Sequence, residues 1–247
     1  MKISIITITF NASATIRTAI ESVLSQSYQN IEYIIVDGGS TDGTLDIIKE
    51  YGTKIQWVSE PDKGIYDAMS KGVARATGDV IGMVNADDFY PDNEVLQRVV
   101  DVYQENPTLQ AVYGDLHYVD GQNTTKVVRE WVAGEYKKEL FLSGWMPPHP
   151  TFFLTKQAYI LYGAYNPIFK SAGDYELMLR MLYRHNLSVA YIPHVQMKMR
   201  TGGVSNVSLH NRIRANNEDY KAWILNGLTP KWYTRFVKPL SKIRQWF

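Results

Sequence analysis

The chain contains no cysteine, which removes disulfides and thiolate metal sites and makes a cytosolic or otherwise disulfide-independent protein the expectation. It has no apolar run near the roughly 20 residues that a membrane-spanning helix needs. An excess of one charge is missing too. With 26 Lys and Arg against 25 Asp and Glu the net charge is +1, so there is no whole-protein footprint for nucleic acid, and any basic patch must be local. The apolar stretch after Met1 has no small-residue cleavage site and turns polar by Asn11, so it reads as a strand. Neither G-x-G-x-x-G nor the lysine-bearing P-loop pattern occurs, which counts against dinucleotide oxidoreductases and P-loop ATPases. What is present is an ordinary globular composition, 45% hydrophobic and 21% charged over 247 residues, enough for one sizeable core with a C-terminal extension.

The first hundred residues alternate strand and helix periods. Ile3, Ile5, Ile6 and Ile8 form a dense β-branched run suited to a strand covered on both faces. Ile16, Ala19, Ile20, Val23 and Leu24 then follow the spacing of one helix face, behind the capping-type residues Asn11 and Ser13. Strands are predicted at Ile31 to Val36, Lys54 to Val58 and Val80 to Val84, with helices from Thr44 to Tyr51 and from Ile65 to Ala76, the latter closed by Gly78. This pattern implies an open, mostly parallel α/β sheet with ligands beyond the C-terminal strand ends. Beyond Pro91 the spacing predicts helices at 92–105, 155–162 and 174–185 and strands at 110–118 and 125–131. The segment Met146-Pro147-Pro148-His149-Pro150 must be a shaped loop.

The polar residues fall at the predicted strand ends. Thr9-Phe10-Asn11 follows the first strand, Asp37-Gly38-Gly39-Ser40 the second, and Asn85-Ala86-Asp87-Asp88 the fourth. Adjacent carboxylates on a turn suit a sugar hydroxyl and a divalent cation whose shell a diphosphate completes; the alternative is a turn that caps the following helix. Ser40, Thr41 and Asp42 read as a turn with a helix cap. Asp67 and Lys71, four residues apart on one helix, either line a ligand pocket or pair with each other.

In order and spacing, five runs resemble the inverting family 2 glycosyltransferases: Ile8 to Asn11, Val23 to Tyr28, Val36 to Thr44, Gly64 to Gly72 and Asn85 to Asp88. The resemblance implies a GT-A fold, a Rossmann-like α/β nucleotide-diphospho-sugar transferase with a mostly parallel central sheet flanked by helices. It also implies transfer of a sugar, with inversion, from a nucleoside-diphosphate sugar, UDP preferred over GDP or dTDP, to a hydroxyl of a glycan or lipid-linked acceptor. Residue by residue, it places Thr9, Phe10 and Asn11 beside the nucleotide and Asp37 on the base, with Asp67 and Lys71 along the diphosphate pocket. Asn85, Ala86 and Asp87 fall on the donor side, and Asp88 on Mn²⁺ or Mg²⁺. Asn85 departs from the family's usual Asp, adding no negative charge there. Ser171 to Arg180 resembles the segment bearing the catalytic base, with Gly173 in place of the usual first acid, so that Asp174 stands alone; its alternative is a helix cap. His149 aligns with an acceptor-side position, or serves as a structural donor. Arg200, followed by Thr201-Gly202-Gly203-Val204-Ser205, resembles a late loop that folds over the diphosphate, or is a surface turn.

Residues 1–205 are read as the transferase domain, with 1–118 the nucleotide-sugar half and 119–205 the acceptor half, and 206–247 as a basic, aromatic, helical extension. Its last stretch, Lys231 to Phe247, has five basic and no acidic residues. That suits a peripheral position on the inner face of a membrane, or a helix docked on the core. A sugar nucleotidyltransferase is the rival enzyme, although the first strand lacks the basic glycine-rich loop that grips a triphosphate. An inactive carbohydrate-binding relative is the non-enzymatic rival, supported by Gly173 and Asn85.

Overall fold

The structure, a computed structural model, describes residues 1–202 and 209–231. It has an α/β architecture with a central sheet between two layers of helices. Strands β1 (Ile3–Thr9), β2 (Ile31–Asp37), β3 (Gln56–Ser59) and β4 (Val80–Met83) are connected through helices α1 (Ile16–Leu24), α2 (Thr44–Lys49) and α3 (Ile65–Arg75). All four strands run parallel. Then come β5 (Asp88–Phe89), α4 (Val95–Glu105), β6 (Ala111–Val119), β7 (Val127–Trp131), β8 (Phe153–Thr155), α5 (Lys156–Tyr162), α6 (Gly173–Met178), β9 (Val189–Arg200) and α7 (Leu209–Leu225). The sheet order is β3-β2-β1-β4-β8-β6-β9-β5, with β7 paired to the free flank of β6.

Every residue of β1 is buried, as its β-branched run requires, because both of its faces are covered. Ile6, Ile8, Ile34 and Val36 point into one core with α3, α5, α6 and α7. Ile3, Ile5, Tyr33 and Ile35 point into the other with α1 and α4. Each buried isoleucine contributes about 1.5–3 kcal/mol.

Three expectations change. Gly78 does not close α3, whose C-cap is Ala76. A Cβ at Gly78 would instead sit 2.7 Å from the Ser4 nitrogen, so its bare backbone lets the chain re-enter the sheet beside β1. Glu32 lies at this end, accepting hydrogen bonds from Lys2, Ser4 and Thr77. The predicted helix at 174–185 is α6 followed by a π-helical turn, Leu179–Arg184. The cap of α2 is Gly43 rather than Ser40, Thr41 or Asp42.

Candidate active site

Parallel pairing brings the ends of β1, β2 and β3 into one row, Thr9 opposite Asp37 and Asp37 opposite Ser59. The loops after β1 and β2 are then knitted together. Asn11, in the left-handed region with φ 48°, donates its N–H to Ser40 Oγ and accepts from the Thr41 N–H. Asp42 accepts from the Ser13 N–H, and Thr44 Oγ1 from the Ala12 N–H. The residues expected to cap α2 thus hold the loop after β1. Asp37 is fully buried, and its carboxylate takes the N–H groups of Gly39 and Ser40 and the hydroxyls of Ser40 and Ser59. Thr9 is buried with its hydroxyl unpartnered among the described residues, while Phe10 is 63% exposed and lies open at the strand ends.

Across the sheet the paired carboxylates stand at the start of β5, Asp88 as its first residue and Asp87 just before it. Asp88 is wholly buried. Burial, then the charge of Asp87, pushes its carboxyl well above the ordinary range, against the Asn85 amide and Arg200. Its Oδ2 accepts from Asn85 Nδ2 at 2.9 Å, and Oδ1 of Asp88 and Oδ1 of Asn85 are both buried with no partner among the described residues. Two orphaned oxygens on one short turn are a donor set that suits a hard divalent cation, and a cation would reverse the upward push on Asp88. Among the described residues no cluster of three or more His, Cys, Asp or Glu could hold a metal, so much of a cation's shell would come from diphosphate and water. Arg200 closes this corner, donating to the Asp87 carbonyl at 2.7 Å and lying over the Phe89 ring. Of the loop that follows, residues 203–208 lie outside the described residues, as does the tail from 232 onward.

On the opposite side, Gly64 precedes α3 as its N-cap, and the first turn of the helix carries Tyr66 toward α6. Tyr66 donates to Asp174 Oδ1 at 3.1 Å. Burial, then the Asp174 carboxylate, drives the Tyr66 hydroxyl strongly upward, so it stays a proton donor. Gly173 has a clear reason: a Cβ there would lie 2.7 Å from the Tyr66 ring, so the ring fills the volume that an acid would need. Asp174 does not cap α6, whose N-cap is Ala172. The N–H groups of Lys170, Ser171 and Ala172 are instead gathered by the Glu218 carboxylate of α7, which fixes the approach to Asp174. Tyr66 stacks on Tyr165 with centroids 6.1 Å apart, and Tyr165 meets His149 Nε2 at 2.7 Å. His149 is buried, and burial lowers its pKa, which favours the neutral ring. Asp67 and Lys71 do pair, at 3.4 Å, and Lys71 also reaches Glu60.

Tyr118 stands two strands away from Asp88. In register across the sheet, Asp88 lies opposite Met199, Met199 opposite Tyr118, and Tyr118 opposite Arg129. Burial raises the Tyr118 hydroxyl, Arg129 lowers it, and the charges of both Asp88 and Asp174 raise it.

The glycosyl transferase family 2 profile matches residues 4–172, more than half of the chain. The chain belongs to that family. Among its relatives, an uncharacterized glycosyltransferase of Mycobacterium tuberculosis is 31% identical over 182 residues, covering 72% of this chain and 68% of the relative. The PGL/p-HBAD biosynthesis glycosyltransferase of Mycobacterium bovis is 29% identical over 208 residues, covering 82% and 78%. An uncharacterized glycosyltransferase of Nostoc is 36% identical over 129 residues, covering 51% of this chain and 39% of its own length. The fold is GT-A. The crystal structure of residues 1–349 of S. aureus TarS superposes with a TM-score of 0.71 at 19% identity, covering 92% of this chain and 64% of that one. A mannosyltransferase of Pyrobaculum calidifontis, solved with GDP-Man and Mn²⁺, superposes with a TM-score of 0.68 at 17% identity, covering 99% and 69%. The chain therefore spans a little under two thirds of the TarS fragment and well under half of the Nostoc relative.

Site residues that sequence reasoning passed over are Tyr66, Tyr118, Tyr165 and Glu218. Tyr66 lies in a run quoted for the resemblance; nothing in local spacing marks the other three.

Proposed function

We propose that the protein is an inverting, metal-assisted glycosyltransferase that moves a sugar from a nucleoside-diphosphate sugar to a hydroxyl of a glycan or lipid-linked acceptor. The observation that carries this reading is the half-buried Asp174 carboxylate, held by the Tyr66 hydroxyl at 3.1 Å, together with the buried Asp88 oxygen that has no partner among the described residues. The donor lies across the strand ends, with Phe10 against the base and Thr9 and Asp87 offering oxygens to ribose or sugar. Mg²⁺ or Mn²⁺, held by Asp88 with Asn85 and Asp87 beside it, would supply positive charge for the diphosphate.

Asp174 accepts the proton of the acceptor hydroxyl as that oxygen bonds to the anomeric carbon, and the bond from carbon to diphosphate oxygen breaks on the opposite face. The Tyr66 hydroxyl holds the carboxylate in place and leaves the remaining lone pairs for the acceptor. His149 and Tyr165 back this side, while Arg200 orders the Asp87 turn. The bound ligands of neighbours support a nucleotide-sugar donor: UDP-GlcNAc in TarS, and GDP-Man with Mn²⁺ in the mannosyltransferase. Lys71, tied to Glu60 and Asp67, shapes the rim of the donor pocket.

The test is Asp174→Asn, which should abolish transfer while donor binding, read as the thermal shift with nucleotide and Mn²⁺, stays near wild type. Near-wild-type turnover in that variant refutes the assignment.

A further inference from the structure

The two helical layers that cover the sheet meet solvent differently. Helices α1, α2 and α4 expose no large apolar side chain, and their exposed charges include the acids Glu21, Asp46, Asp101 and Glu105. The layer of α3, α5, α6 and α7 exposes Ile65, Ile160, Leu161, Ile168, Ile224 and Leu225, from 44% for Ile65 to 65% for Ile160. The elements that carry them are tied side to side. Arg180 holds the carbonyls of Tyr162, Gly163 and Ala164 at the end of α5, Glu176 holds Arg180, and Asn226, just past α7, donates to Glu176. On the other flank, Ser70 of α3 donates to the Tyr165 carbonyl and Lys170 to that of Lys63. The charge of this layer has one sign. Along 156–188 and 214–231 the exposed charged residues are Lys170, Arg184, Arg214, Lys221 and Lys231. The acids of those segments, Asp174, Glu176, Glu218 and Asp219, are none of them exposed.

From this pairing of apolar side chains with exposed charge of one sign we propose that the layer of α3, α5, α6 and α7 is the surface by which the protein docks on an anionic phospholipid bilayer. The apolar side chains enter the boundary between headgroups and acyl chains, and the Lys and Arg stems lie along it with their charges among the lipid phosphates. A second copy is the wrong occupant: in a two-fold contact this face meets itself and sets cation against cation. The stretch 232–247, outside the described residues, brings Arg235, Lys238, Lys242 and Arg244 and no acid, so it repeats the sign rather than neutralising it. Tyr66 and Asp174 belong to this layer, so docking brings the acceptor side of the site to the bilayer.

The test is co-sedimentation of the full chain with vesicles of phosphatidylcholine alone and of phosphatidylcholine mixed with phosphatidylglycerol. It needs no turnover, so its failure and that of the transferase reading are separable. Wild type should bind the mixed vesicles about tenfold or more tightly than the neutral ones and be released by high salt. Lys170→Gln/Lys221→Gln should weaken binding about 25-fold, since each cation near such a surface is worth about fivefold. Leu161→Gln/Ile224→Gln, which changes exposed apolar positions only, should weaken it about tenfold with Tm near wild type. Arg17→Gln/Lys49→Gln, on the other layer, should leave binding unchanged. Absence of binding to the mixed vesicles overturns the proposal, as does binding that neither of the first two variants weakens, which would belong to 232–247 alone. An equal loss in Arg17→Gln/Lys49→Gln would reduce the effect to net charge and overturn it too. In sedimentation velocity, a dimer that Leu161→Gln/Ile224→Gln dissolves would give the face to a second copy instead.

Discussion

Gly173→Ala adds one carbon at a point 2.7 Å from Cγ and Cδ2 of Tyr66. Carbon atoms rest at about 3.5–4.0 Å, so the ring must retreat by roughly 1 Å. It cannot do so freely, because Tyr165 is stacked nearby and is itself bonded to His149. The Tyr66 hydroxyl is already 3.1 Å from Asp174, and a retreat of that size breaks the bond. Overpacking costs about 1–3 kcal/mol, and the bond to a carboxylate is worth about 1.5–3 kcal/mol. Alanine's better helix propensity returns up to about 1 kcal/mol. The net loss is therefore on the order of 1.5–6 kcal/mol, a fall in Tm of roughly 3–24 °C for a chain of this size. Turnover should fall further than stability alone explains, with donor affinity unchanged, because only the acceptor side is disturbed. Chemical denaturation of Gly173→Ala, Tyr66→Ala and the double variant isolates the clash: without the ring, the added methyl should be neutral or mildly stabilising. An equal cost in both backgrounds, or a single variant with wild-type stability and turnover, refutes the reasoning.

Asp88→Asn should leave metal-free stability in chelator unchanged or higher, since it removes a buried carboxyl whose ionisation burial opposes. The same variant should lose the thermal shift with UDP and Mn²⁺; a retained shift would remove Asp88 from the cation site. At the other end of the sheet, burial raises the Glu32 carboxyl, but bonds from Ser4, Thr77 and Lys2 outweigh it and bring it from 4.5 to about 2. A depressed folded value means stability that is present above about pH 4.5 and lost as pH falls through 2, on the order of 3 kcal/mol. Glu32→Gln should flatten the acid limb of a stability profile over that window, and an unchanged limb would show that the cluster adds nothing.

The β1-to-β4 half was legible because its signals are local. Dense β-branched runs and helix-period stripes name their own elements, and parallel crossovers set Thr9, Asp37 and Asn85 at one edge. In the second half α4, β6, β7, α5 and α6 were read close to their bounds, and β8 and β9 were not. β9 carries His194, Gln196 and Lys198 among its apolar residues, and its parallel pairing with β6 shifts register near Gly114 and Asp115. β8 is three residues long and exists because β4 and β6 flank it. Both depend on partners far away in sequence, which no window along the chain contains. The site divides in the same way. Strand-end carboxylates could be picked out by spacing, but the ring that fills Gly173 and the Glu218 clamp are products of tertiary contact. Gly173, read from the sequence as a missing acid, is in the folded chain room for a tyrosine.

The family match stops at residue 172, immediately before Gly173, and the carboxylate that gathers the backbone there belongs to a helix more than forty positions later. A version cut to the matched stretch would lose Asp174 and the Glu218 carboxylate, and with β9 it would also lose the strand against which β5 and the Asp88 turn are paired. The two sides of the site therefore do not come apart: β9 and α7 have to travel with the matched stretch.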